Sequence, residues 1–231
     1  MTGTTKDYCT KSKSETGNPG TAKPGENGCV SNCGMDIVNN GKAPSEYKKI
    51  AYFESWNQDR PCLHMDVRTI TSAFTSGWTH VHFAFANITK DYKVNVEDTY
   101  GQFKNFKGLK GVKRIVAFGG WSFSVGIPTY AILREAVKPA KREAFSTEIV
   151  NFVNNNKLDG VDFDWEYPGA PDLPDIPAGG EKEPDDYLEF LKLVRKKLGK
   201  EKSLSIAAPA SFWYLKQFPI GEISKIVDYV S

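Results

Sequence analysis

The chain has 231 residues, of which 40% are hydrophobic and 25% are charged, as is usual for a globular protein. Its 30 basic and 28 acidic residues leave a net charge of +2, and no basic stripe stands out, which argues against nucleic acid as a partner. No apolar run approaches the roughly 18 residues that a membrane span needs, so we expect no membrane partner either.

The first 45 residues differ in composition from the rest of the chain. They are rich in Gly, Pro, Ser, Thr and Lys, and they hold almost no large apolar side chains, so they cannot bury a core of their own. The even set Cys9, Cys29, Cys33 and Cys62 favours disulfides over a zinc site, and four cysteines allow three pairings. The opening residues lack the apolar core of a signal peptide. We therefore expect a secreted protein whose signal peptide is not part of this sequence.

From residue 47 onward, short apolar runs alternate with amphipathic segments. The runs rich in β-branched and aromatic residues are predicted to be strands at 49–56, 80–87, 114–121, 160–167 and 204–211. Helical spacing of apolar residues predicts helices at 66–77, 141–156 and 185–199, whereas the polar connection 88–113 gives no clear prediction.

Strands and helices that alternate at this spacing indicate parallel βαβ units. Such units fit either a doubly wound sheet or part of an eight-stranded barrel. No GxGxxG motif follows the first predicted strand, which weakens the case for a dinucleotide-binding sheet.

The run DGVDFDWEYPG at 159–169 combines four acids with bulky apolar side chains. Because side chains alternate faces along a strand, Asp162, Asp164 and Glu166 share one face, and the apolar residues between them share the other. Neighbouring acids on one face lie ~6.6 Å apart, so their ionised forms repel and at least one carboxyl pKa should rise. A raised carboxyl pKa is what a general acid needs near neutral pH.

Two other uses of this acidic face are open. A hard cation could bind there, although such sites usually take loop and carbonyl ligands as well. A structural ion-pair face is also conceivable, but the strand ends supply few bases to pair with the acids. We therefore favour acid catalysis and expect no bound metal.

The spacing Asp159-x-x-Asp162-x-Asp164-x-Glu166 resembles the DxxDxDxE signature of glycoside hydrolase family 18, the chitinases. The run AFGGW at 117–121 resembles the SxGG motif of that family, with Ala117 in place of Ser. This departure removes a hydroxyl expected near Asp162 and concerns how a proton is held between Asp162 and Asp164.

The run GCVSNCG and the insertion PGAPDLPDIPAGG resemble secreted fungal chitinases of the killer-toxin-like group, class V. This resemblance implies that residues 1–45 are a linker or the remnant of a chitin-binding module, and that residues 46–231 are the N-terminal part of a catalytic barrel. The implied fold is an α/β (β/α)8 TIM barrel that is incomplete, with about five complete βα units and the start of strand six. A closed barrel typically needs ~250 residues, so we expect a fragment that is inactive alone and open between its first strand and its end.

The resemblance implies a retaining, substrate-assisted cleavage of chitin, the β-1,4-linked polymer of N-acetylglucosamine. Glu166 would be the proton donor, Asp164 would orient the substrate's acetamido group, and Asp162 would share a proton with Asp164. Asp159 would be structural. The alternatives are an endo-β-N-acetylglucosaminidase that acts on N-glycans and a chitin-binding, lectin-like protein. No cofactor is implied, and we expect a monomer.

Aromatic side chains suit a carbohydrate cleft because sugar rings stack on flat apolar faces. Matched to the family pattern, the substrate-binding candidates are Tyr52, Phe85, Trp121 and Tyr167, and Trp213, just beyond the fifth predicted strand, is a further candidate. Gly119 and Gly120 would let the backbone approach a ligand closely. We assign His80 and His82 to the packing of a strand in the core.

Overall fold

The computed structural model describes residues 46–62, 64–70 and 77–231. The linker or binding-module segment predicted at 1–45 lies outside the described residues, and so do three of the four cysteines. Cys62 is exposed, and the disulfides remain a prediction. Within the described part of the chain, no helix combines the length and apolar character required to cross a bilayer.

The core of the fold is a curled sheet whose strands run parallel, with one short antiparallel addition. The strands are β1 (Ile50–Glu54), β2 (His80–Ile88), β3 (Val94–Asn95), β4 (Lys113–Gly119), β5 (Gly160–Asp164), β6 (Ser203–Ile206) and β7 (Tyr229–Val230). Their order is β1-β2-β4-β5-β6-β7, and β3 pairs antiparallel with the end of β2. Within the described residues β1 and β7 lie at opposite ends of the hydrogen-bonded order, so the sheet is open, which confirms the predicted incomplete barrel.

Helices connect the strands and cover the outer face of the sheet. They are α1 (Gln102–Phe106), α2 (Trp121–Val125), α3 (Tyr130–Ala136), α4 (Arg142–Asn155), α5 (Glu183–Leu198), α6 (Phe212–Leu215) and α7 (Ile220–Ile223). The long helices α4 and α5 confirm the predictions for 141–156 and 185–199. The helix predicted at 66–77 is a 3-10 turn at Val67–Thr69 in its described part, where the Asp66 carboxylate accepts a hydrogen bond from the Arg68 N–H.

The sequence of α5 explains both of its ends. Acidic residues occupy the first turn and basic residues the last, an arrangement that the helix dipole stabilises. Gly199 follows with a φ of +78°, a conformation that costs glycine little. Between these ends, Leu191 and Val194 are fully buried and hold the helix against the sheet.

The two faces of β5 have the opposite characters that the sequence predicts. Val161 and Phe163 are fully buried on the outer face, and the Phe163 ring contacts Phe190 of α5 edge-on at 5.1 Å. Just beyond the strand, Trp165 contacts Tyr187 of the same helix at 5.3 Å. Burying an aromatic side chain of this kind contributes about 1.5–3 kcal/mol, so the outer face anchors the strand that carries the acids.

Four of the five predicted strands end earlier than expected, and β1 ends at Glu54 rather than at residue 56. β4 ends at Gly119, so Trp121 begins α2, and β6 ends at Ile206 rather than near residue 211. β5 ends at Asp164, and Glu166 lies in the connection after it, not on the strand. The reason is that the backbone N–H of Glu166 donates to the Ser124 hydroxyl of α2 at 3.0 Å and is not paired with a neighbouring strand.

Candidate active site

Asp162 lies on the inner face of β5 and is fully buried. The Tyr52 hydroxyl of β1 donates to its Oδ2 at 2.8 Å, and the Ser205 hydroxyl of β6 donates to its Oδ1 at 2.6 Å. Ala117 stands opposite Asp162 in the β4–β5 register and offers only a methyl group. β4 thus offers Asp162 no serine hydroxyl at position 117, and Ser205 of β6, on the other side of β5, supplies a hydroxyl instead.

The carboxyl groups near the end of β5 hold their protons more tightly than isolated ones. Burial, followed by the charges of Glu166 and Asp162, raises the pKa of Asp164 from 3.8 to about 7. Burial also raises the pKa of Glu166, although a hydrogen bond with Tyr167 opposes the change. The prediction that at least one carboxyl pKa rises is confirmed, and Asp164 keeps its proton toward neutral pH.

The glycine pair after β4 places α2 against the end of β5. The Gly120 N–H donates to the Asp164 carbonyl at 2.8 Å. Gly119 has a φ of +109°, and a Cβ there would lie 2.1 Å from that same carbonyl oxygen. A Cβ on Gly120 would lie 2.6 Å from the Phe85 ring. Only glycine fits at these two positions, because a side chain on Gly119 would collide with the backbone of Asp164 and one on Gly120 would collide with the Phe85 ring.

A cleft of about 580 Å³ opens beside the acids. Among its lining residues are Trp56, Phe85, Tyr100, Trp121, Asp164 and Glu166. Trp56 stacks on Phe85 with centroids 5.8 Å apart and planes at 10°. Trp121 is 47% exposed and Trp56 46% exposed, so each presents a flat apolar face to solvent in the cleft.

A smaller recess of about 270 Å³ adjoins Asp164. Tyr52, Phe85 and Asp164 are among the residues that line it. The structure thus brings three of the five predicted aromatic residues, Tyr52, Phe85 and Trp121, to the edges of the acid cluster.

The other two predicted aromatic residues lie outside the 580 Å³ cleft. Tyr167 stacks on Tyr214 at 4.6 Å. The indole N–H of Trp213 donates to the Asp172 carboxylate at 3.0 Å, and the Lys216 ammonium lies 3.7 Å from the centre of its ring. Together these residues form an aromatic cluster where the 168–180 insertion meets α6.

Asp159 precedes β5 and faces away from the other acids. It accepts hydrogen bonds from the backbone N–H and from the Nε of Arg114, both at 2.8 Å. Burial alone would raise the pKa of Asp159, but the Arg114 hydrogen bonds lower it below its usual value. This carboxylate joins β5 to β4 at the end of the sheet away from the cleft.

Sequence analysis missed several residues that shape the site. Trp56 follows β1 and lines both cavities, and Tyr100 reaches the cleft from the connection that gave no prediction. Ser205 could have been found, because it alternates with buried Leu204 and Ile206 in a strand that faces the acids. His82 was assigned to core packing, yet its Nδ1 lies 3.4 Å from Asp162 Oδ2.

The described residues contain no group of three or more His, Cys, Asp or Glu side chains arranged to hold a metal ion. Asp162 instead contacts two hydroxyl groups and a histidine ring.

A curled parallel sheet with carboxyl groups and an aromatic cleft at the carboxyl ends of its strands is the arrangement of TIM-barrel enzymes. The profile of the family described as "Glycosyl hydrolases family 18" matches residues 48–231. The chain belongs to this family of glycoside hydrolases, as the spacing of its acids indicates.

Curated relatives and solved structures agree with this assignment. The chain is 50% identical over 230 residues to "Secreted chitinase LysM12" of Penicillium expansum, covering 99% of this chain and 15% of that protein. It is 45% identical over 229 residues to "Killer toxin subunits alpha/beta" of Kluyveromyces lactis, covering 99% of this chain and 19% of that protein. The chain thus spans less than a fifth of the length of either relative.

Among solved structures, the Ostrinia furnacalis Group IV chitinase in complex with allosamidin matches with a TM-score of 0.65 and 28% identity. The match covers 80% of this chain and 50% of that one. Half of that chitinase chain is therefore similar in backbone to four fifths of this chain.

Proposed function

We propose that this chain carries the catalytic acids of a hydrolase that cleaves chitin by a retaining, substrate-assisted mechanism. The observation that carries the proposal is the cluster Asp162, Asp164 and Glu166 beside a cleft of about 580 Å³ with exposed tryptophans. Two of these carboxyl groups have raised pKa values, as proton donors near neutral pH require.

In the proposed first step, Glu166 protonates the glycosidic oxygen as the bond to the anomeric carbon breaks. The acetamido oxygen of the same sugar attacks that carbon and gives an oxazolinium ion. Asp164 and Glu166 are two residues apart on one segment, so they cannot flank the scissile bond from opposite sides as a pair of opposed carboxylates would. A nucleophile supplied by the substrate removes the need for a second carboxylate.

Asp164 would orient the acetamido N–H and stabilise its developing positive charge. In the resting site Asp164 holds a proton, because its pKa is raised to about 7 by burial and by the neighbouring acids. Asp162 would accept that proton when Asp164 turns to the substrate. Glu166, now ionised, would activate a water molecule that opens the oxazolinium ion and returns a β-configured product.

The nature of the substrate follows from the relatives. Two of the similar proteins are named chitinases, and one of these was solved with allosamidin. We propose a chitin or chito-oligosaccharide substrate for this chain on that basis. The name of the Penicillium relative also supports secretion, which fits the predicted disulfides.

The division of the chain is likewise a proposal. Residues 1–45 would be a linker or the remnant of a chitin-binding module, and residues 46–231 would be the N-terminal part of the catalytic barrel. The compact unit Lys48–Ser231 supports the second boundary to within two residues.

The test is Glu166→Gln in the full-length protein that carries this sequence, with Glu181→Gln at an exposed glutamate as the matched control. Removing a general acid costs about 10²–10⁴-fold in rate, so turnover of chitin oligomers should fall by that factor while oligomer binding persists. The control should keep the parental rate. Near-parental turnover by the Glu166 variant would contradict the assignment of the proton donor.

Two additions to this assay separate the alternatives. Proton NMR recorded before mutarotation should show the β-anomer first, and an initial α-anomer would rule out retention. Digestion of an N-glycoprotein in parallel separates a chitinase from an endo-β-N-acetylglucosaminidase. Binding without turnover of either substrate would indicate a lectin-like protein.

A further inference from the structure

His82 of β2 is a buried histidine directly behind the acid cluster. Its side chain is 0% exposed, as is that of Asp162, and its Nδ1 lies 3.4 Å from Asp162 Oδ2. On the other side of the ring, Nε2 lies 2.8 Å from the Tyr229 hydroxyl of β7. The ring also packs edge-on against Tyr52, with centroids 4.6 Å apart. Side chains from three other strands, β1, β5 and β7, thus surround this imidazole of β2.

Nδ1 of His82 faces the Asp162 carboxylate, whose oxygens accept hydrogen bonds from Tyr52 and Ser205, so the ring proton belongs on Nδ1. Burial raises the pKa of Tyr229, so its hydroxyl stays protonated and can donate to Nε2. A neutral ring that accepts at Nε2 carries its proton on Nδ1. That N–H then points toward Asp162.

Within the described residues, Nδ1 of His82 has no hydrogen-bond partner at normal distance. A buried donor without a partner is costly, and the nearest acid oxygen is Oδ2 of Asp162 at 3.4 Å. Catalytic hydrogen bonds are often long in a ligand-free site and shorten when substrate binds. His82, which sequence analysis assigned to core packing, therefore also directs a hydrogen-bond donor toward Asp162.

We propose that His82, which contacts Tyr229 through Nε2, is a positioning residue whose Nδ1 donates to the Asp162 carboxylate and thereby favours the shared proton on Asp164. This inference rests on the proposed function. Tyr52 and Ser205 already donate to Asp162, and His82 is the third donor.

The other titratable groups around this array do not replace His82 in that role. Asp164 and Glu166 are acids and disfavour charge on Asp162. Tyr187 of α5 is fully buried, and the negative charges of Asp162 and Asp164 add to burial in raising its pKa, so it stays neutral. Burial lowers the pKa of His80 to about 4, so it contributes no charge at neutral pH.

The test compares two amides that differ in which imidazole nitrogen they replace. In His82→Asn the amide nitrogen is as many bonds from Cβ as Nδ1, so it can donate to Asp162. In His82→Gln the amide is as far from Cβ as Nε2, so it keeps the contact with Tyr229 and loses the one with Asp162. If His82 only packs, the two variants should behave alike with respect to pH.

The expected result is a shift in the acidic limb of the pH profile of kcat on chitin oligomers. Without the Nδ1 donor, Asp162 takes up a proton at higher pH, so His82→Gln should move this limb up by about 1 pH unit, or tenfold at a fixed acidic pH. The alkaline limb, which reports Glu166, and KM should stay near parental values. His82→Asn should retain the parental acidic limb.

A second measurement does not depend on turnover. Because Nδ1 stabilises ionised Asp162, the Tm of His82→Asn should exceed that of His82→Gln at neutral pH, and the gap should narrow on acidification as Asp162 is protonated. Tyr229→Phe removes the hydroxyl that donates to Nε2 and should shift both readouts in the direction of His82→Gln.

Equal acidic limbs and a pH-independent Tm gap in the two amide variants would overturn the inference, and so would a parental profile in Tyr229→Phe. If the parent protein does not cleave chitin oligomers, the proposed function fails. The Tm series then still decides whether His82 stabilises the Asp162 carboxylate.

Discussion

Asp164→Asn should make the folded state more stable at alkaline pH, although it removes a proposed catalytic group. The pKa of Asp164 is about 7 in the folded protein, against an ordinary value of 3.8. Because the folded state holds this proton more tightly, the contribution of Asp164 to stability is fully present below pH 3.8 and is lost as pH rises through about 7. The two values differ by about 3, and each pKa unit corresponds to about 1.36 kcal/mol, which gives a limit of ~4 kcal/mol.

The Asp164 side chain keeps partial access to solvent, which screens its charge, so the expected gain for Asp164→Asn is about 2–4 kcal/mol above pH 8. Near pH 4 the gain should shrink toward zero, because the parent carboxyl is then protonated as well. The assay is denaturant unfolding at pH 4, 6 and 8.5, with Asp91→Asn at an exposed site as the control. A gain below about 0.5 kcal/mol at pH 8.5, or one that does not vary with pH, would refute the reasoning.

Two further substitutions test how the site is built. Gly119→Ala places a methyl group 2.1 Å from the Asp164 carbonyl oxygen and should destabilise the protein by about 3 kcal/mol or more in thermal melts. The control Gly221→Ala, which has open space around it, should change stability by no more than about 0.5 kcal/mol. Similar melting curves for the two variants would contradict the close packing at Gly119. Trp121→Ala should weaken chito-oligosaccharide binding about tenfold in calorimetry at an unchanged Tm, because its 47% exposed ring is lost from the cleft. Trp78→Ala, which is 43% exposed and outside this cleft, should bind normally, and equal effects of the two changes would exclude a specific role for Trp121.

The two-faced character of β5 could be predicted from the sequence because alternation along a strand is a local property. Asp162, Asp164 and Phe163 follow that period and lie where it places them. The same local period could not show that β5 ends at Asp164, since the cause is a hydrogen bond between the Glu166 N–H and Ser124, 42 positions away.

Contacts between distant strands account for the rest of what was missed. His82 and Ser205 have ordinary strand neighbours in the sequence, and only the order of the strands brings both to Asp162. The predicted role of Trp213 rested on its place just beyond the fifth predicted strand, and its partner Asp172 belongs to an insertion that periodicity does not describe. Aromatic residues in loops, such as Tyr100, carry no periodic signal at all.

The hydrogen bond from Tyr52 to Asp162 has a consequence for the order of folding. It joins residues 110 positions apart, so the loop it closes includes most of the sheet. Closing such a loop costs entropy before the contact is formed, and contacts of high sequence separation slow folding. The helix-covered outer face of β4 and β5 joins strands that are close in sequence and can form early. We therefore expect the acid cluster to acquire its buried, proton-sharing state late, when β1 docks beside the finished strands, and partly folded molecules to contain the acids in their ordinary, fully ionised form.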